Sequence, residues 1–238
     1  IELGRRIGHK DEALELLPIL EELNISPTDD FRFVCGYLEG ILSFKGEDWL
    51  DDMIESWLDR WLEPNRVAEI IWRVLGTDKG AKRLTLLVSS GEIDAGELNM
   101  LVSGFWARKV SPEALNNLLQ AMISISSSGS NSACLAVSSQ YLQQYPQNLP
   151  AMSDLSWQII ENSSKEALLS MDLYHFSTLS KMVISSNPIR LAEYIIEMAK
   201  KDNFISISKD LGEVLDMTIK MAGWPVFEDL IGPSLVEN

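Results

Sequence analysis

Apolar residues recur at i, i+3, i+4 and i+7 along nearly the whole chain, and strict apolar–polar alternation is almost absent. That spacing lines one face of an α-helix and predicts an all-helical protein. Leu14, Leu17, Leu20 and Leu23 form a first stripe, which Pro18 kinks or restarts. Ser26-Pro27-Thr28-Asp29 reads as a turn and cap before a helix carrying Phe31, Val34, Cys35, Leu38, Ile41 and Leu42. Gly36 and Gly40 lie four apart on that helix, which fits either close approach of another helix or two tolerated glycines. Over Glu47–Leu62, Trp49, Leu50, Met53, Ile54, Trp57, Leu58 and Trp61 make a broad apolar face opposite Asp48, Asp51, Asp52, Glu55 and Asp59.

From Pro64 onward a phrase returns: proline, then apolar residues three, six, seven and ten positions later. It reads Pro64, Val67, Ile70, Ile71, Val74; then Pro112, Leu115, Leu118, Leu119, Met122; then Pro188, Leu191, Tyr194, Ile195, Met198. A degraded copy starts at Pro150, where Trp157 and Ile160 fit and Ser153 and Ser156 do not. Pro112, Pro150 and Pro188 are 38 residues apart, as are Leu135, Leu173 and Leu211, and Tyr141, Leu179 and Met217. Each unit therefore holds two helices. The first starts at the proline, whose missing N–H has no partner at that position anyway, with Ser111 and Asn187 as N-caps. The second follows a turn such as Ser127–Asn131, and a further start lies near Pro225. The step from Pro64 to Pro112 is 48 residues, leaving room for an extra short helix around Asp94–Trp106. The period is clear over 111–222, looser over 64–110 and not visible in 1–63, so the expected organisation is an N-terminal helical section, 1–63, continuous with a repeat array, 64–238.

Stacked helix pairs of this period resemble HEAT-type α-solenoid repeats. The resemblance lies in period and pattern over 64–222, and no family motif residue is matched. It implies a right-handed α-α superhelix whose second helices line one face, often the binding face. By family-level analogy, large bacterial defence and signalling NTPases often end in similar helical arrays that sense a partner.

Charge changes the picture more than composition does. The net charge is −15, but 1–63 hold 16 acids and 6 bases, 64–110 hold 5 acids and 7 bases, and 111–238 hold 14 acids and 7 bases. An acidic body repels phosphate backbones and anionic lipid, so only the middle segment welcomes an anion. No apolar run approaches the ~20 residues of a membrane span. Nothing near the start reads as a signal peptide, and the opening at Ile1 suggests a piece of a longer or processed protein. Cys35 and Cys134, the only cysteines, sit in apolar helical contexts and read as buried free thiols, in keeping with a reducing cytoplasm.

Candidate chemistry is sparse. One acidic helix face does not supply the converging oxygens a Mg²⁺ or Ca²⁺ site needs, and it reads as a solvated face. His9 and His175 lack a second His or Cys at ligand spacing. No Gly-x-Ser-x-Gly turn and no phosphate-binding glycine loop occur, and Gly76–Gly80 reads as a helix C-cap followed by an N-cap at Asp78. The basic residues Arg66, Arg73, Lys79, Lys82, Arg83, Arg108 and Lys109, interleaved with Trp72 and Trp106, suit phosphate contact or pairing with the preceding acidic helix. The resulting expectation is a non-catalytic scaffold with no metal or cofactor, binding a protein partner or other domains of its parent. The alternative is a nucleic-acid-sensing module using 64–110, such as the sensor region of a bacterial defence or signalling NTPase.

Overall fold

A computed structural model describes residues 1–22, 31–60, 62–102, 106–125, 127–163, 172–202, 209–225 and 228. The expected turn at Ser26–Asp29, Leu23, Trp61 and the side chains of Met198 and Leu211 lie outside the described residues. The described elements are helices, and their one β contact is an isolated parallel bridge between Thr77 and Lys109. No helix among the described residues is long and apolar enough to cross a membrane. The chain divides into two units, Ile1–Ala121 and Met122–Asn238. Residue 63, where the periodicity changes, falls inside the first.

In the first unit, α1 (Glu2–Gly8) packs along α3 (Arg32–Lys45). The two backbones meet at glycines on both sides. A Cβ at Gly8 would lie 2.1 Å from the Tyr37 carbonyl oxygen, and one at Gly40 would lie 2.4 Å from that of Arg5. Gly4 and Gly36 are as tightly placed, 2.3 Å from the Phe33 oxygen and 2.1 Å from the Ile1 oxygen. Gly36 and Gly40 are thus contact residues, and the partner helix carries its own pair, Gly4 and Gly8. Side chains then fasten the seam: Arg5 to Glu39 at 2.8 Å, His9 Nδ1 to Ser43 Oγ at 3.1 Å, and the Tyr37 hydroxyl donating to Asp11 at 2.6 Å.

Asp11 also accepts the backbone N–H groups of Glu15 and Leu16, at 2.8 and 2.9 Å, ordering the link into α2 (Leu17–Glu22). Burial raises the Asp11 pKa; the Tyr37 hydroxyl and these backbone donors outweigh it and hold the carboxyl below its ordinary value. Pro18 sits in the first turn of α2, where it costs no hydrogen bond, so it restarts the helix.

Helix α4 (Glu47–Leu58) follows at once from Gly46, whose φ of 86° favours glycine. Then come α5 (Pro64–Arg73) and α6 (Asp78–Ser89). Helix α3 packs on α4 and α5, and α6 packs on both α4 and α5. Their shared core holds Tyr37, Leu38, Ile41, Leu50, Ile54, Trp57, Ile70, Ile71 and Leu84, all fully buried. Each aliphatic side chain among them contributes about 1.5–3 kcal/mol by leaving water. Trp57 also donates its indole N–H to Glu21 at 2.6 Å. The extra element expected around 94–106 is 3₁₀ rather than α, over Ala95–Val102, with a second short turn at Trp106–Arg108. Helix α7 (Pro112–Ser124) begins at its proline, and Ser111 Oγ accepts the Ala114 N–H at 3.2 Å.

The second unit contains α8 (Ser128–Gln144), α9 (Leu149–Glu161), α10 (Asp172–Val183), α11 (Pro188–Asp202) and α12 (Lys209–Ala222). Ser127 and Ser130 cap α8 reciprocally, and Asn187 Oδ1 accepts the Arg190 N–H at the start of α11. Helices α8, α10 and α12 pack in series, α9 lies on α8 and α10, and α11 lies on α12. Helices α9 and α11 meet through the Glu161–Arg190 ion pair at 2.6 Å, and Arg190 also covers the Trp157 ring.

Some positions 38 residues apart share burial, although of the columns read from the sequence Leu135, Tyr141 and Leu179 are buried while Leu173 and Met217 are half-buried. Leu119, Trp157 and Ile195 are buried in successive first helices. Ser138, Phe176 and Val214, and likewise Leu142, Ser180 and Thr218, are fully buried in successive second helices. Several buried hydroxyls bond back to their own helix, as Ser138 does to the Cys134 oxygen at 2.6 Å and Thr218 to the Val214 oxygen at 2.7 Å. Ser156, which breaks the apolar phrase, is nevertheless fully buried, and its Oγ and that of Ser180 have no partner.

Two stability predictions follow from this packing. Gly8→Ala and Gly40→Ala force backbone away from backbone, and each should cost about 1–3 kcal/mol in urea unfolding despite alanine's better helix propensity. A neutral or stabilising effect of both would show that α1 is not held as described. Ser156→Ala and Ser180→Ala remove unpartnered buried hydroxyls and should leave stability unchanged or raise it by about 1 kcal/mol. A loss larger than that would mean the hydroxyls are bonded.

Candidate functional site

The seven basic residues of 66–109 do not gather into one patch. Three of them reach back to α4. Arg83 bonds Asp51 through Nε at 3.1 Å and Glu55 through an Nη at 3.0 Å, Lys79 pairs with Asp48, and Lys109 Nζ stands 4.0 Å from Glu47. Burial works against the Arg83 charge, but its bonds to Asp51 and Glu55 outweigh that and raise its pKa. The acidic face of α4, expected to be solvated, is therefore in part a pairing face. Asp51 is shielded beneath Arg83, while Asp48 and Glu55 stay largely in water. Arg66 and Arg73 approach Glu69 from either side, both at 3.1 Å, and lie over the rings of Phe31 and Trp72. Lys82 is exposed on α6, and Arg108 is exposed beside Lys109.

What the fold does bring together is a cavity of about 410 Å³ in the first unit. Three local features build one wall. Gly76 lets the Trp106 backbone come close, since a Cβ there would lie 2.1 Å from the Trp106 oxygen. Thr77 pairs with Lys109 in the isolated bridge, and Asp78 accepts the Ser111 N–H at 2.5 Å. Gly76–Gly80 thus departs from the expected cap: Thr77 holds the N-cap position of α6, and Asp78 is its first residue, bonded to the strap at 106–111. The opposite wall is the α1–α3 seam, with Arg5 and Glu39. Arg73, Arg108 and Lys109 complete a lining rich in cations, while Trp72, Trp106 and Cys35 give it apolar surface.

Thr77 is 8% exposed and lines this cavity, yet its hydroxyl has no hydrogen-bond partner. Such a group costs free energy unless something satisfies it. Trp106 is buried and already committed, donating its indole N–H to the Leu101 oxygen at 2.6 Å. Cys35 is a buried free thiol whose pKa burial pushes well above the ordinary value.

A second groove of about 350 Å³ shares Arg5 and Glu39 with the first and adds Arg6, His9, Lys10 and Ser43. Sequence reasoning missed Arg5, Arg6 and Lys10 because they were averaged into a segment with 16 acids and 6 bases. The available signal was the cluster at 5, 6, 9 and 10, which is helical spacing.

The remaining candidates are structural. His175 Nδ1 lies 2.8 Å from Ser139 Oγ, but Ser139 is fully buried in mid-helix and bonds the Ala136 oxygen. That serine has no access to a substrate. Cys134 is buried and free, its pKa pushed up to about 12 by desolvation. Among the described residues, no group of three or more His, Cys, Asp or Glu converges as a metal site would require.

Arg83→Leu should cost about 1–3 kcal/mol in urea unfolding, because it strands Asp51 in a shielded position. Lys82→Gln should change stability by less than about 0.5 kcal/mol. Equal effects of the two would contradict the pairing described. Comparison with protein-family models, curated proteins and solved structures finds no match for this chain.

Proposed function

We propose that the chain is a non-catalytic helical-repeat module that binds a protein partner or another domain of its parent protein. In this reading, the helix pairs of the second unit stack as a HEAT-like right-handed superhelix. The observation that carries it is a recurring bridge between successive second helices. Gln143 donates to the Tyr174 hydroxyl at 3.1 Å, and Lys181 pairs with Glu213 at 2.8 Å. The two bridging residues are 38 positions apart, and each reaches the next second helix. A repeat whose neighbours make equivalent contacts presents a regular surface, and such surfaces bind by complementarity along one side. Tyr174, 56% exposed on α10, is the aromatic anchor on that side. Two free buried cysteines fit a reducing cytoplasm. Engagement of Lys79 and Arg83 by α4 makes them poorer phosphate contacts than the sequence suggests.

A photo-crosslinking side chain placed at Tyr174 should give a discrete protein adduct in cells, while one at the exposed Leu86 should not. The captured protein, once purified, should bind the chain in calorimetry and lose at least about tenfold affinity on Tyr174→Arg. No discrete adduct, or a partner indifferent to Tyr174→Arg, overturns the proposal.

A further inference from the structure

We propose that α1 is a releasable lid: it lifts off α3 as one piece while the rest of the first unit stays folded, and so opens the cavity on its Ile1–Arg5 side. The side chains of α1 give it little anchorage in the core. The residues it buries are Gly4 and Gly8, Ile7 is half-buried, and Ile1 and Leu3 are 43% and 65% exposed. Lifting α1 therefore uncovers little apolar side chain, and apolar burial is what ties most helices to a fold. What holds α1 is backbone contact at four glycines and a few polar bonds. Those bonds lie at the surface: the Arg5 and Glu39 side chains are 46% and 37% exposed, and the His9–Ser43 contact is open to solvent. Exposed ion pairs contribute little. An element with few buried apolar contacts and solvent-exposed bonds opens at a lower free energy than the core it rests on.

The link after α1 works in the same direction. Leu14 has a φ of 59°, a left-handed conformation that costs a leucine free energy. It is held there in the turn that Asp11 closes by accepting the Glu15 and Leu16 N–H groups, and Asp11 is itself tied to α3 by the Tyr37 hydroxyl. Release of α1 breaks the Asp11–Tyr37 bond and leaves the turn free to relax. The opening reaches well beyond the end of the chain. Helix α3 lends Cys35, Gly36 and Glu39 to the cavity, and Glu39, Gly40 and Ser43 to the neighbouring groove. Helix α1 supplies Ile1 and Arg5 to the first and Arg5, Arg6 and His9 to the second. With α1 lifted, the two hollows join in one trough floored by α3 from Cys35 to Ser43. Docked, α1 divides that trough and closes its side.

The test is amide hydrogen exchange of the full chain under native conditions, read residue by residue. The His9 N–H, bonded to the Arg5 oxygen, and the Glu15 and Leu16 N–H groups, bonded to Asp11, report on α1 and its link. Leu38 and Ile41, inside α3, report on the core. Corrected for intrinsic rates, His9, Glu15 and Leu16 should exchange together and at least about a hundredfold faster than Leu38 and Ile41. Urea added below the unfolding transition should hardly change their rates, because lifting exposes little surface, while it speeds Leu38 and Ile41 steeply. Gly8→Ala, which pushes the two backbones apart, should speed His9, Glu15 and Leu16 at least about tenfold. Equal rates and equal urea slopes for both groups mean that α1 leaves only when the unit unfolds, and overturn the proposal. So does fast exchange confined to the residues before His9, which is fraying of a helix end.

Discussion

The first unit depends on two helices touching without side chains between them. With no Cβ at Gly4, Gly8, Gly36 and Gly40, α1 sinks onto α3 until carbonyl oxygens fill the space methyl groups would need. A seven-residue helix has little propensity of its own to form and almost no apolar side chain to bury. Its stability comes from this depth of docking, which brings Arg5 to Glu39, His9 to Ser43 and Asp11 to Tyr37. The two cavities described above flank the seam, sharing Arg5 and Glu39. The close approach therefore sets where the cations of α1 stand relative to those of the strap.

A second constraint works through charge. Helix α4 carries its acids on the side that faces α6, and Arg83, Lys79 and Lys109 meet them there. The basic residues of 66–109 are thereby divided: Lys79 and Arg83 hold α6 to α4, Arg73 and Arg108 line the cavity, Lys109 lines it while standing near Glu47, and Arg66 and Lys82 do neither. Nearness in sequence hides that division, because α6 turns one face to α4 while the strap returns along residues 76–78.

The helical class, the prolines at helix starts and the serine and asparagine caps were legible in the sequence, because each is a local backbone preference expressed at one position. Gly36 and Gly40 were legible as a suspected contact, yet α1 was not legible as their partner: its buried face is glycine, which carries no hydrophobic signal. The burial shared by positions 38 residues apart was only partly legible for a related reason. Ser138, Ser180 and Thr218 are buried in register with apolar residues, but hydroxyls returned to their own helix look polar in a sequence. The cavity was half legible. Arg73, Arg108 and Lys109 stood out with Trp72 and Trp106, whereas Arg5 arrives from 68 residues before Arg73 by tertiary packing alone.

The buried columns of the second helices also trade size. On α8 a small residue, Ser138, precedes a large one, Leu142; on α10 the order inverts to Phe176 and Ser180; on α12 Val214 and Thr218 are intermediate at both places. Each helix is thus shaped for its own neighbour although all follow one period. At these spaced positions the three helices carry different side-chain volumes. Exchanging α8 with α10, or replacing either by an averaged repeat, would set bulk against bulk at one level and leave a void at the next. The three helices are therefore not interchangeable parts.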